Sequence, residues 1–71
     1  MNPADIRNKF GVTQKVFARW CNTATGTIRK WESGEQAPSG PAWRLLDALL
    51  WMDNRGLLKD FLDDIEQEKT S

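Results

Sequence analysis

The stretch that decides the fold runs from Thr13 to Gly34 and reads TQKVFARWCNTATGTIRKWESG. It contains two apolar patterns with the spacing of short helices, formed by Phe17, Ala18 and Cys21 in the first and by Ile28 and Trp31 in the second. The polar break between them is too short for another regular element. The stretch therefore predicts a helix-turn-helix, in which Thr13 caps the first helix and the second helix runs from about Thr25 to Glu32.

The second predicted helix has an outward strip of small, polar and cationic side chains. With about 100° of rotation per residue, this strip consists of Thr25, Gly26, Arg29, Lys30 and Ser33. Lysine and arginine can read guanine edges in a major groove, threonine can contact bases, and glycine permits close approach. The strip therefore predicts contact with duplex DNA.

Two motifs in this stretch resemble the Cro/repressor, or xenobiotic-response-element, family of helix-turn-helix proteins. They are T-Q-x-x-F-A, beginning at Thr13, and T-I-R-K-W-E-x-G, beginning at Thr27. Downstream, P-S-G-P-A-W-R-L-L from Pro38 to Leu46 resembles the segment that follows the motif in HigA-type antitoxins of bacterial toxin–antitoxin operons. The resemblance covers about residues 6–50 and implies an all-α, five-helix, lambda-repressor-like DNA-binding domain.

The resemblance also implies which residues contact DNA. The base-reading positions of the family fall on Thr25, Gly26 and Lys30, and the position that anchors a phosphate falls on Gln14. The full set of expected phosphate contacts is Gln14, Lys15, Arg29, Thr27, Arg7 and Ser39 with its neighbouring amides.

Two positions depart from the family pattern. Gly26 stands where relatives often have an amide or hydroxyl that contacts a base, so direct readout there is lost or replaced by closer backbone approach. Ala24 stands where relatives usually have a capping serine or threonine. Losing such a cap costs about 1 kcal/mol, unless Thr23 or Thr25 replaces it.

Composition limits the function classes. With 71 residues, we expect one domain over residues 1–71, and a chain of this length buries only about 60% of its unfolded surface. One cysteine and no histidine argue against disulfide frameworks, the usual zinc sites and the commonest general base. We therefore expect no enzyme activity, no metal and no cofactor, and we expect Cys21 to be an inert buried thiol.

The sequence has no recognisable signal peptide and no apolar run long enough to cross a bilayer, so we expect a cytoplasmic protein without a membrane partner. The formal net charge is zero, but its distribution is uneven. Between Ile6 and Lys30 there is no acidic residue, and the cations there are Arg7, Lys9, Lys15, Arg19, Arg29 and Lys30. The second half is acidic, which predicts a molecule with one electropositive side.

Three further helices are predicted around the motif. The first begins at Asn2 as cap with Pro3 in its first turn, and ends at Gly11. The fourth runs from about Pro41 to Met52, with a core stripe of Ala42, Leu45, Leu46, Leu49 and Leu50. A break at residues 53–56 precedes the fifth, so that the fourth and fifth helices together span about residues 41–66.

Trp51 falls nearly opposite the core stripe of the fourth helix, whereas Trp31 falls on the inward face of its own helix. Because exposed large aromatics are enriched at interfaces, we expect Trp51 to contact a second subunit. The expected homodimer interface consists of Trp51, Met52, Leu57, Leu58 and Phe61, with Leu62 beside them.

These features favour a repressor or autorepressor that binds a palindromic operator as a homodimer, such as a phage or anti-CRISPR-associated regulator. One alternative is the antitoxin of a toxin–antitoxin pair, which would also bind a cognate toxin. Another is a protein-interaction module that keeps the fold but has lost DNA binding.

Overall fold

The helix-turn-helix is present in the structure, a computed structural model that describes the backbone of residues 2–70 and the side chains of residues 2–66. Within this range there are five helices and no strands: α1 (Pro3–Phe10), α2 (Gln14–Trp20), α3 (Thr25–Ser33), α4 (Gly40–Asn54) and α5 (Leu58–Thr70). The expected all-α, five-helix architecture is confirmed.

Local capping explains where α1 begins and ends and where α2 begins. The side chain of Asn2 accepts a hydrogen bond from the Ala4 amide at 2.7 Å, and Pro3 occupies the first turn of α1. Gly11 ends α1 in the left-handed region with φ 71°. The Thr13 hydroxyl then accepts a hydrogen bond from the Val16 amide at 3.2 Å and starts α2, as predicted.

The turn between α2 and α3 uses backbone geometry in place of side-chain caps. Asn22 has a φ of 53°, which asparagine tolerates better than most residues. The Thr23 amide donates to the Ala18 carbonyl at 2.9 Å. Ala24 is the N-cap of α3, and no side chain caps that end, so neither Thr23 nor Thr25 replaces the missing hydroxyl. Gly34 ends α3 with φ 84°.

The fourth helix is longer than predicted at both ends. The Ser39 hydroxyl accepts a hydrogen bond from the Ala42 amide at 3.3 Å, so the helix starts at Gly40. It continues through Asn54, because polar residues alone do not stop a helix, and ends before Gly56, whose φ is 72°. Leu57 lies in this break, one residue before α5 begins.

All five helices contribute to one apolar core. Its buried members are Ile6 from α1, Phe17 and Ala18 from α2, Ile28 and Trp31 from α3, Leu46 and Leu49 from α4, and Leu58 from α5. The inward face predicted for α3 and the stripe predicted for α4 are confirmed. Because α3 is packed through Ile28 and Trp31, its opposite side remains on the surface.

None of the helices in the described chain combines the length and the apolar character that a membrane-crossing segment needs.

Candidate nucleic-acid interface

The predicted base-contacting residues lie together on the outward side of α3. Lys30 is exposed, and Thr25 and Gly26 are half-buried in the first turn. A Cβ built on Gly26 would meet nothing within 4 Å, and its φ does not lie in the left-handed region. Packing within the protein therefore does not require glycine there. The absence of a side chain at Gly26 leaves open space at the surface of α3.

The C-terminal end of α3 is tied to both preceding helices through Glu32. Arg7 of α1 donates from Nε to Glu32 Oε2 at 2.6 Å and from Nη2 to Oε1 at 3.0 Å, a bidentate pair. Gln14 of α2 donates from Nε2 to Glu32 Oε1 at 3.1 Å. The Arg7 Nη1 also donates to the Val12 carbonyl at 2.8 Å. One carboxylate thus fixes the positions of three helices.

This pair is well shielded from water. The side chain of Arg7 is 19% exposed and that of Glu32 is 10% exposed. The hydrogen bond from Arg7 is the largest reason why the pKa of Glu32 lies below its usual range, with burial opposing and the Gln14 hydrogen bond assisting. The hydrogen bond to Glu32 raises the pKa of Arg7. Both groups are therefore charged at neutral pH.

The role expected of Arg7 changes with this geometry. Its guanidinium is held by Glu32 and Val12, and we assign it to positioning α3 and leave it out of the proposed phosphate contacts. Gln14 is also held by Glu32, but it is the first residue of α2, where backbone amides have no partner within the helix. A phosphate contact through Gln14 stays a prediction.

The other predicted phosphate contacts lie on α2, on α3 and at the N-cap of α4. Lys15 and Arg29 are exposed, and Thr27 is half-buried in the first turn of α3. The Ser39 hydroxyl accepts the capping hydrogen bond of α4, and its own O–H, like the neighbouring amides, can still donate to a phosphate. All four contacts remain predictions.

The N-terminal end of α3 borders an open cavity of about 270 Å³. Its lining residues are Lys15, Ala18, Arg19, Asn22, Thr23, Ala24 and Thr25. Arg19 Nη2 also donates to Glu66 Oε1 of α5 at 3.0 Å, and each of these side chains is 54% exposed. Arg19 is not among the DNA contacts predicted from the sequence. Its position four residues after Lys15, on the same face of α2, was the signal available.

A second exposed surface lies on α4, away from its core stripe. Trp51 is 50% exposed, and Arg55 Cζ lies 4.0 Å from the centre of its ring. A cavity of about 270 Å³ beside it is lined by Arg44, Asp47, Ala48, Trp51 and Met52. We call these five residues the α4 surface. The predicted exposure of Trp51 is confirmed.

The remaining residues of the expected dimer interface differ in exposure. Leu57 is 43% exposed, whereas Met52 and Phe61 are half-buried. Leu58 is only 8% exposed and belongs to the core, which corrects its assignment to the interface. The break ends one residue later than predicted, so that Leu57 lies in the break and Leu58 is the first residue of α5.

Cys21 is half-buried beside the core, and burial raises the pKa of its thiol to about 11. The thiol is therefore protonated at neutral pH, the form that is a poor nucleophile. This agrees with the expected inert thiol.

Comparison with known proteins gives two matches. The Helix-turn-helix family profile matches residues 4–50. The antitoxin HigA-2 of Vibrio cholerae serotype O1 is 42% identical over 41 residues, which cover 58% of this chain and 39% of that protein. The chain therefore spans about two-fifths of the curated relative it matches. No solved structure matches the chain significantly.

Proposed function

Because the chain belongs to the helix-turn-helix family of DNA-binding domains, we propose that it is a sequence-specific transcriptional repressor that occupies a palindromic operator as a homodimer. In this proposal α3 enters the major groove, Thr25, Gly26 and Lys30 face base edges, and Lys15, Arg29 and Thr27 face phosphates.

The observation that carries the proposal is the two-sided character of α3. Ile28 and Trp31 anchor one side in the core, while Arg29 and Lys30 are exposed on the other. Glu32 prevents rotation of the helix through its contacts with α1 and α2. A rigid helix with an outward cationic edge fits the requirements of major-groove recognition.

The charge distribution also points to the outward side of α3 as the DNA-binding side. Lys15, Arg29 and Lys30 form no ion pair with any carboxylate in the described part of the chain. These cations can neutralise phosphates without breaking an internal contact. DNA affinity derives largely from such neutralisation, so a net charge of zero does not argue against binding.

Replacing Lys30 by alanine tests the readout. We expect affinity for the preferred duplex to fall by about 1–3 kcal/mol, with base preference relaxed at one position of each half-site. Selection from a random-sequence pool, followed by titration, measures both. Glu35→Ala, an exposed change in the loop after α3, is the control that leaves preference intact. If Lys30→Ala retains the wild-type base preference, Lys30 does not read a base.

Salt dependence separates the proposal from the interaction-module alternative. Log affinity for duplex DNA should fall against log salt by about 0.9 per phosphate neutralised. A chain that has lost DNA binding would select no duplex from the pool, and the proposal would then be abandoned.

We further propose that the α4 surface, with Leu57 and Phe61 beside it, forms the dimer contact. Two copies must present their α3 helices about 34 Å apart to reach successive major grooves. Trp51→Ala should shift sedimentation at micromolar concentration toward the monomer, because large buried aromatics dominate interface energies. Lys59→Ala on α5 is the control. An unchanged profile for Trp51→Ala would move the interface elsewhere.

A second candidate function is that of an antitoxin, which the likeness to the antitoxin HigA-2 favours. The chain would then bind and neutralise a protein toxin as well as DNA. Co-expression with the product of the neighbouring open reading frame tests this. Growth arrest by that product alone, relieved by this chain, would support it, and a harmless neighbour would oppose it.

A further inference from the structure

The ion pair between Arg19 of α2 and Glu66 of α5 lies at the edge of the proposed DNA-binding surface. We propose that Arg19 is an additional phosphate-binding residue, and that Glu66 occupies it until an operator phosphate takes its place. This inference rests on the proposed DNA-binding function. In this proposal, Glu66 lowers the affinity of the chain for DNA because it competes with phosphate for Arg19.

The position of Arg19 supports this role. Arg19 and Lys15 lie four residues apart on α2 and line the same open cavity of about 270 Å³. Thr25, a proposed base contact, lines the same cavity. A phosphate next to a base that Thr25 contacts would therefore lie close to both cations.

The contact between Arg19 and Glu66 is weak enough for a DNA phosphate to replace the carboxylate. Only Nη2 of Arg19 bonds to the carboxylate, at 3.0 Å, and the side chains of both residues are 54% exposed. Ion pairs with this exposure are weak, because water competes for both partners. A phosphate on duplex DNA offers the same kind of acceptor and adds the gain from counterion release.

The pair between Arg7 and Glu32 is, by comparison, a contact that a phosphate would not replace. It is bidentate, and its two side chains are 19% and 10% exposed. Exchange with a phosphate there would leave a shielded carboxylate without its partner, which is strongly unfavourable. Arg19 carries no such penalty, since Glu66 would simply be hydrated.

Two variants test the exchange directly. Glu66→Gln removes the competing charge and should tighten DNA binding by about two- to fivefold, the range expected for an exposed ion pair. Arg19→Gln should lower the slope of log affinity against log salt by about 0.9, the value for one phosphate contact. Asp64→Asn is the matched control, because Asp64 is exposed on the same helix and forms no ion pair among the described side chains.

The double variant Arg19→Gln with Glu66→Gln completes a thermodynamic cycle. Without Arg19, the change at Glu66 should alter affinity no more than Asp64→Asn does in the same background. Binding is measured by titration of the duplex that the wild-type chain selects from a random-sequence pool, between about 50 and 200 mM salt. Melting temperatures of all variants should stay within about 4 °C of the wild type, since the pair is exposed.

Two results would overturn the inference while leaving the proposed function in place. One is an equal gain in affinity for Glu66→Gln and Asp64→Asn, which would indicate a general charge effect. The other is an unchanged salt slope for Arg19→Gln, which would remove Arg19 from the phosphate contacts. A wild-type chain that selects no duplex would overturn the proposed function itself, and the inference with it.

Discussion

The two ends of α3 are held in opposite ways. At the C-terminal end, Glu32 bonds to Arg7 and Gln14, and Gly34 closes the helix in left-handed geometry. At the N-terminal end, Ala24 supplies no capping side chain, and the first turn borders an open cavity. The C-terminal end of α3 is therefore held by contacts within the chain, whereas the N-terminal end is left open for contact with a partner.

This difference explains how one short helix can be both rigid and available for binding. The C-terminal end sets the orientation of α3 through contacts that water cannot easily disrupt. The N-terminal end keeps backbone donors without partners in the helix and, at Gly26, an open space where a side chain would lie.

The largest effect is expected at the C-terminal end. Glu32→Ala leaves the shielded Arg7 guanidinium and the Gln14 amide without their acceptor, and should reduce the free energy of unfolding by about 3 kcal/mol. For a domain of this size, the melting temperature should fall by more than about 10 °C. Thermal and urea unfolding followed by circular dichroism measure the change.

Glu35→Ala provides the comparison for that experiment. Glu35 lies in the exposed loop just after α3 and forms no ion pair within the described side chains. Its removal should change the free energy of unfolding by less than about 0.5 kcal/mol. Similar losses for the two variants would show that Glu32 is no more important than a surface carboxylate, and the contrast between the two ends would disappear.

Acid should weaken the same end, by less than complete removal of the side chain. The pKa of Glu32 is lowered by Arg7 from its ordinary value of 4.5. Its contribution is therefore fully present above pH 4.5 and is lost as pH falls through the lowered value. Unfolding of the wild type and of Glu32→Ala, compared from pH 7 to pH 2, should converge in acid. Parallel curves over the whole range would contradict this assignment.

Local chemistry made much of the fold predictable from the sequence. Asn2, Thr13 and Gly34 act on residues within one helical turn, so their roles as caps and stops follow from residue type and position. The inward face of α3 and the core stripe of α4 follow from helical spacing. The burial of Leu58 does not, because it depends on how α5 packs against the preceding helices.

In the candidate site, too, local features could be predicted from the sequence and long-range contacts could not. The outward position of Lys30 follows from periodicity within one helix, and the structure agrees with it. The partner of Arg7 lies 25 residues away, and that of Arg19 lies 47 residues away. No local pattern specifies which carboxylate a basic residue meets at such separations. Counting charges therefore placed Arg7 and Lys15 together among the expected phosphate contacts, and it gave no sign of the pair between Arg19 and Glu66.

Ala24→Ser supplies the capping side chain that the N-terminal end of α3 lacks. The Thr27 amide already donates to the Ala24 carbonyl at 3.0 Å, so in Ala24→Ser the new hydroxyl can accept a hydrogen bond from the Gly26 amide. This should raise the free energy of unfolding by about 1 kcal/mol. Chemical denaturation measures it. Ala37→Ser in the exposed loop before α4 is the control and should change nothing. If Ala24→Ser is no more stable than the wild type, this end of α3 is already satisfied.

The smallest effect on stability is expected for Gly26→Ala, and it should separate stability from binding. The new methyl group meets nothing within 4 Å and alanine favours helix over glycine, so the free energy of unfolding should rise by about 0.5 kcal/mol. DNA affinity should fall by about 1 kcal/mol or more, because the methyl group occupies the space left for close approach. Asn8→Ala on exposed α1 is the control, with a similar gain in helix propensity and unchanged DNA binding. Undiminished affinity in Gly26→Ala would mean that α3 does not approach DNA through its first turn, and the open end of the helix would then need another explanation.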